Sequence, residues 1–97
     1  MINIIIPLDF SETSFNAAHY AANMYQNRAD VSLILYHFYI HGEDTETAQE
    51  YLTSIKGELS KRGCVIETEL ESGERFIDSL AAFAHVKRAY MIVMGLT

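Results

Sequence analysis

Apolar runs without a polar side constrain this chain more than any other feature. Residues 2–8, 31–40 and 90–94 are rich in β-branched or aromatic side chains and show no clean polar alternation, the pattern of strands covered on both faces. A fourth run, 65–70, alternates Val65, Glu67 and Glu69 against Ile66, Thr68 and Leu70, and reads as a more exposed edge strand. Helical periodicity fills the gaps. From Ser11 to about Gln26 the apolar set is Phe15, Ala18, Ala22 and Tyr25; from Asp44 to Arg62 it is Ala48, Tyr51, Leu52, Ile55 and Leu59; from Gly73 to about His85 it is Ile77, Leu80, Ala81 and Ala84. Ser11 and Asp44 are N-cap residue types with Glu12 and Glu46 in the first turn, and Gly63 suits the position just past a helix end. Gly57 inside the second helix costs about 1 kcal/mol relative to Ala and does not overturn the pattern. Strands alternating with helices imply right-handed crossovers, hence an α/β fold with an open, mostly parallel sheet and helices on both faces.

With 97 residues, 49% of them hydrophobic, the chain has room for one domain, 1–97. A formal charge of -6, with no basic cluster longer than Lys61-Arg62 and Lys87-Arg88, argues against nucleic acid and anionic lipid as partners. Both pairs fall where helices should end, where cations complement the helix dipole. A bound phosphate would therefore depend on backbone N–H groups. The single Cys64 excludes an internal disulfide and reads as a small buried hydrophobe in a reducing compartment. Met1 leads directly into an apolar run too short for a signal peptide or a membrane span, so a cytoplasmic location is expected.

In an open parallel sheet, ligands bind beyond the carboxyl ends of the strands, where the winding reverses. Here the first strand runs into Pro7-Leu8-Asp9-Phe10-Ser11. Pro7, the only proline, cannot donate to a ladder and belongs at a strand end. Asp9 then stands at the strand tip. Its carboxylate can accept from a ribose diol or an adenine amino group, or it can simply satisfy local backbone donors as an Asx turn.

Ile4-Ile5-Ile6-Pro7-Leu8-Asp9-Phe10-Ser11-Glu12-Thr13, followed by Asn16-Ala17, resembles the opening of universal stress protein domains. Leu33-Ile34-Leu35-Tyr36-His37-Phe38-Tyr39 is similar to the second strand of that family, Ser72-Gly73 to the approach to its third helix, and Tyr90-Met91-Ile92-Val93-Met94-Gly95 to its fourth strand. The resemblance implies a Rossmann-like sheet of the adenine nucleotide α-hydrolase type in the order 3-2-1-4-5, of which this chain would supply 3-2-1-4. It also implies an adenine nucleotide site. Pro7, Leu8 and Asp9 would contact adenine and ribose, Phe38 would wall the adenine through its main chain, and Met94 and Gly95 would close the pocket beneath ribose and phosphates.

The sequence departs from that pattern after Gly95. The family's Gly-x2-Gly-x9-Gly-Ser/Thr phosphate loop, whose glycines let N–H groups reach the phosphates, is not present before Thr97, and no Gly-x-Gly-x-x-Gly or Gly-x4-Gly-Lys-Ser/Thr replaces it. The expectation is a domain incomplete at its C-terminus that binds ATP weakly or not at all. An apolar fourth strand at the sheet edge, Tyr90-Met91-Ile92-Val93, carries no charge or proline to blunt it and should pair with a second copy or exchange a helix with one.

Other chemistry finds little support. His37 and His41 have a metal-pair spacing only on a helix, and at a strand end they stand roughly 13 Å apart. His19 and His85 are scattered elsewhere, His37 alone reads as a packed histidine, and Ser11 lacks a nucleophile elbow. Glu67, Glu69 and Glu71 read as the solvated side of the edge strand. The expected function is a non-enzymatic stress-response protein with an adenine nucleotide site; the alternative is a dimerisation or partner-binding module of the same family that binds no ATP. A related ATP-using hydrolase would need chemistry that these residues do not supply.

Overall fold

Ile2–Pro7 forms strand β1, with Ile4, Ile5 and Ile6 fully buried. The computed structural model describes residues 1–40, 42 and 44–95, and in it β1 lies between β2 (Val31–Tyr39) and β4 (Met91–Ile92), with β3 (Val65–Ser72) outside β2. The order is β3-β2-β1-β4 and every pairing is parallel, as the alternation and the resemblance imply. Successive β1 side chains face opposite ways, which divides the core in two. Ile4, Ile6 and Leu8 join Leu33 and Leu35 under helices α1 (Glu12–Met24) and α2 (Thr45–Leu59), while Ile5 joins Ile34 and Tyr36 under α3 (Phe76–Lys87).

Local chemistry sets the helix ends. The Ser11 hydroxyl accepts from the Ser14 N–H at 3.2 Å, and the Asp44 carboxylate accepts from Thr47 N–H at 3.1 Å and Thr47 Oγ1 at 2.7 Å. After Leu59 the chain tightens into a 3₁₀ turn, Ser60–Arg62, so the second helix is α-helical only to 59. Gly63 follows at φ 80°, where an added Cβ would lie 2.6 Å from Asn27 Oδ1 and 3.2 Å from Asn27 Cα. Gly63→Ala is therefore expected to destabilise the fold by about 1–2 kcal/mol, measured by urea unfolding.

Expectations for the third helix, the fourth strand and the β3 glutamates need correction. The third helix starts at Phe76, three residues past Gly73, behind an N-cap at Arg75 that makes no side-chain capping bond. Its buried face is Leu80 and Phe83, flanked by Phe76 and Ala84; Ile77 is 65% exposed and Ala81 is exposed, because the helix is turned so that Phe83 meets Tyr36, their ring centroids 5.0 Å apart. Asn3 Nδ2 donates to Lys87 O at 2.8 Å and ties the helix end to β1. The fourth strand is shorter than the apolar run 90–94: its register pairs with β1 are Met91 and Ile92, flanked by Tyr90 N–H donating to Asn3 O at 2.7 Å and Val93 N–H to Ile5 O at 2.9 Å. Nor are the β3 glutamates merely solvated. Glu67 accepts from Ser32 Oγ at 3.0 Å and Glu71 from Tyr36 OH at 2.8 Å, because register places Glu67, Glu69 and Glu71 beside Ile34, Tyr36 and Phe38 on the sheet face that α3 leaves partly open. Burial, then the Glu71 carboxylate, pushes the Tyr36 phenol far above its ordinary range.

Cys64 is buried, as expected; its thiol donates to Ala22 O at 3.4 Å and to Tyr25 O at 3.2 Å, and burial raises it above the usual thiol value. The loop expected near 41–44 and the residues after 95 lie partly or wholly outside the described residues.

Candidate functional site

The carboxyl end of β1 builds the site. Pro7 is buried at the strand's last position, and the next N–H, that of Leu8, still donates to Tyr36 O at 2.8 Å, so the exit stays aligned with β2. Asp9 follows at the surface. Its Oδ1 accepts from the Ser11 N–H at 2.9 Å, so the Asx-turn geometry is present. Hydrogen bonding from the Ser11 side chain, then from the Ser11 N–H and the Ser14 side chain, holds the Asp9 carboxyl below the usual carboxylate range. Asp9 is thus ionised at neutral pH and can only accept hydrogen bonds. Because its folded value is lowered, the small stabilisation it supplies is complete above the ordinary carboxylate value and is lost as pH falls through the lowered one.

Beyond this turn lies a cleft of about 300 Å³ lined by Pro7, Leu8, Asp9, Phe38, Met94 and Gly95, together with Ser14 and Phe76. All six residues expected at a site therefore border one hollow. Phe38, near the end of β2, and Phe76, first in α3, form an apolar wall, with ring centroids 5.7 Å apart and planes at 60°. Gly73 makes room for that wall, since a Cβ there would lie 3.1 Å from both Phe38 Cε2 and Ser79 Oγ. On the opposite side Gly95 touches the first turn of α1; a Cβ on it would be 2.5 Å from Thr13 O. Asp9 is the only charged group among these lining residues.

Sequence reasoning missed Ser14 and Phe76. Ser14 is 4% exposed, its Oγ donating to Ser11 O at 3.0 Å; a polar residue on the apolar face of α1 was the available signal. Phe76 stands four residues before Leu80, on the face that the periodicity misassigned.

Among the described residues, the discounted histidines do not line the cleft. His37 is buried at the end of β2, its Nδ1 2.6 Å from Leu8 O. His19 lies between Arg62, 3.1 Å from its Nδ1, and Glu58, 3.5 Å from its Nε2. His41 is outside the described residues, among which no three His, Cys, Asp or Glu side chains are placed to hold a metal and no helix is long and apolar enough to cross a membrane.

No family model matches the sequence, and no curated protein matches it. Solved structures match its backbone closely. A universal stress protein from Archaeoglobus fulgidus superposes with a TM-score of 0.82 at 24% identity, over 100% of this chain and 76% of that one. A protein of the universal stress protein family from Burkholderia pseudomallei gives 0.81 at 22% identity, over 97% and 80%. The chain has the universal stress protein fold. A third structure with this fold, an Arabidopsis thaliana universal stress protein family protein with AMP bound, gives 0.76 at 12% identity, over 99% and 77%. On the universal stress protein fold the cleft of this chain sits at the strand tips, beside the first β–α turn.

Proposed function

We propose that the cleft binds the adenosine part of an adenine nucleotide and that the protein is a non-enzymatic, stress-protein-like regulatory module of the cytoplasm. The convergence of Pro7, Leu8, Asp9, Phe38, Met94 and Gly95 on one hollow carries this reading, and the AMP-bound neighbour of the same fold supports it. A ring pair for the base and an acceptor-only carboxylate for the ribose diol suit a nucleoside. The phosphates are poorly served, since no Lys or Arg is among the described residues that line the cleft.

Titration of the labelled protein with adenosine, AMP and Mg-ATP tests this. Adenosine and AMP should bind alike and Mg-ATP weakly or undetectably; low-micromolar affinity for Mg-ATP would overturn the phosphate half of the proposal. Asp9→Asn should weaken adenosine by roughly 10-fold or more, the scale of a charge-assisted hydrogen bond.

A second reading, a partner-binding module without ATP, is favoured by the exposed edge. Tyr90 is 70%, Met91 37% and Ile92 41% exposed, and among the described residues β4 pairs with β1 alone. Pairing of this edge with a second copy predicts a concentration-dependent dimer that Ile92→Lys disrupts. Light scattering that shows a monomer at high concentration sinks this reading.

A further inference from the structure

The turn that presents Asp9 is fastened from outside the cleft. Residues on either side of Asp9 both lead to one imidazole. Leu8 O lies 2.6 Å from His37 Nδ1, and a carbonyl only accepts, so that nitrogen carries the hydrogen. The Phe10 ring stacks on the same imidazole, centroids 4.2 Å apart and planes at 24°, and is stacked in turn by Tyr51 of α2 at 5.1 Å and 25°. Phe10 needs such support. Its φ of 65° is a left-handed conformation that a side chain of this size rarely adopts and that persists only where the surroundings over-determine it.

We propose that His37, acting with Phe10, is the positioning residue for Asp9: one imidazole holds the residues before and after it, so that the carboxylate stays at the cleft mouth. The nucleotide reading enters only in what that carboxylate then binds. His37 is 5% exposed and does not line the cleft; it acts through the turn. Its neighbour Phe38 lines the cleft, so β2 supplies both a wall and a brace from adjacent positions.

NMR on the full chain tests the clamp with readouts that mere core packing would not move. In the unmodified protein His37 should carry its hydrogen on Nδ1; a tautomer protonated only on Nε2 would overturn the proposal without any variant. His37→Phe keeps a ring but removes the donor, His37→Asn keeps a donor but removes the ring, and Phe10→Gly suits the backbone but removes the stack. Each should raise the Asp9 titration midpoint towards the ordinary carboxylate value and shift the Ser11 amide. With adenosine as the probe, affinity should fall roughly 5- to 10-fold, and the Phe10→Gly, His37→Phe double variant should lose little more than the worse single one. Folded variants with an unchanged Asp9 titration and Ser11 amide refute the clamp. If Asp9 responds but the unmodified protein does not bind adenosine, the clamp stands and the nucleotide reading fails.

Discussion

Gly95→Ala should cut the adenosine affinity of the cleft by at least about tenfold, close to 1.4 kcal/mol, while lowering unfolding free energy by less than about 1 kcal/mol. The new Cβ would meet Thr13 O at 2.5 Å, Thr13 C at 2.7 Å and Ser14 N at 3.0 Å, all backbone of the first turn of α1. That turn cannot yield. Ser14 is bonded within it, and Ala18, Ala21 and Ala22 bury the helix against the sheet. The segment 93–95 has to move instead, pivoting after Val93, whose N–H donates to Ile5 O at 2.9 Å. Met94 and the cleft wall move with it, at little cost to a core that ends at Val93. Calorimetry with adenosine, read beside urea unfolding and the Thr13 and Ser14 amide shifts, checks both halves. Unchanged amides would show that residue 95 is not pinned against α1.

Phe83→Ala should cost about 3–5 kcal/mol, a large share of the ~5–15 kcal/mol available to a domain of this kind. The size follows from the unequal halves of the core. Beneath α1 and α2 the buried cluster is broad, whereas beneath α3 it is Ile5, Ile34, Tyr36, Leu80 and Phe83 alone. Phe83 contributes the ring that meets Tyr36 and also lies under Lys87 Nζ, 5.8 Å from its centroid. Without it α3 retains Leu80 as its only fully buried anchor. Ile77→Ala, by contrast, should shift stability by no more than about 0.5 kcal/mol, since that side chain is already 65% exposed. Equal losses for the two would mean that α3 presents its other stripe to the sheet. Denaturant unfolding, with hydrogen exchange at the α3 amides, distinguishes the cases.

That comparison also marks where the sequence was readable. A parallel strand covered on both sides has no polar face, so the runs around Ile4–Ile6 and Leu33–Leu35 announce themselves, and Ser11 and Asp44 announce their helices through hydroxyl and carboxylate caps. The third helix is apolar nearly all round: Ile77, Leu80, Ala81, Phe83, Ala84 and Val86 form two overlapping stripes. Choosing between them takes tertiary contacts, the Asn3 tie to Lys87 and the Tyr36 ring, which no local window contains. Phe76 was missed with it. Strand order came from the family resemblance, since alternation fixes handedness and parallel pairing but not which edge the last strand joins. At the cleft, the Pro7-Leu8-Asp9 turn was legible through its residue types. The left-handed Phe10 was not, because its conformation is imposed by His37 and Tyr51, distant in sequence.

The place of β1 between β2 and β4 has a consequence for synthesis. Ile4 and Ile5, made well before their later partners, pair on one side with Leu33 and Ile34 and on the other with Met91 and Ile92. At the ~5–20 residues per second of translation, that second side stays bare for several seconds after the first can close. One side of β1, whose Ile4, Ile5 and Ile6 are fully buried in the finished fold, is then an unpaired template at the stage when a nascent chain is most open to wrong pairings. Ribosome-bound chains stalled with residue 92 inside and outside the exit tunnel should differ in how strongly a holding chaperone engages them, and that engagement should end once β4 emerges.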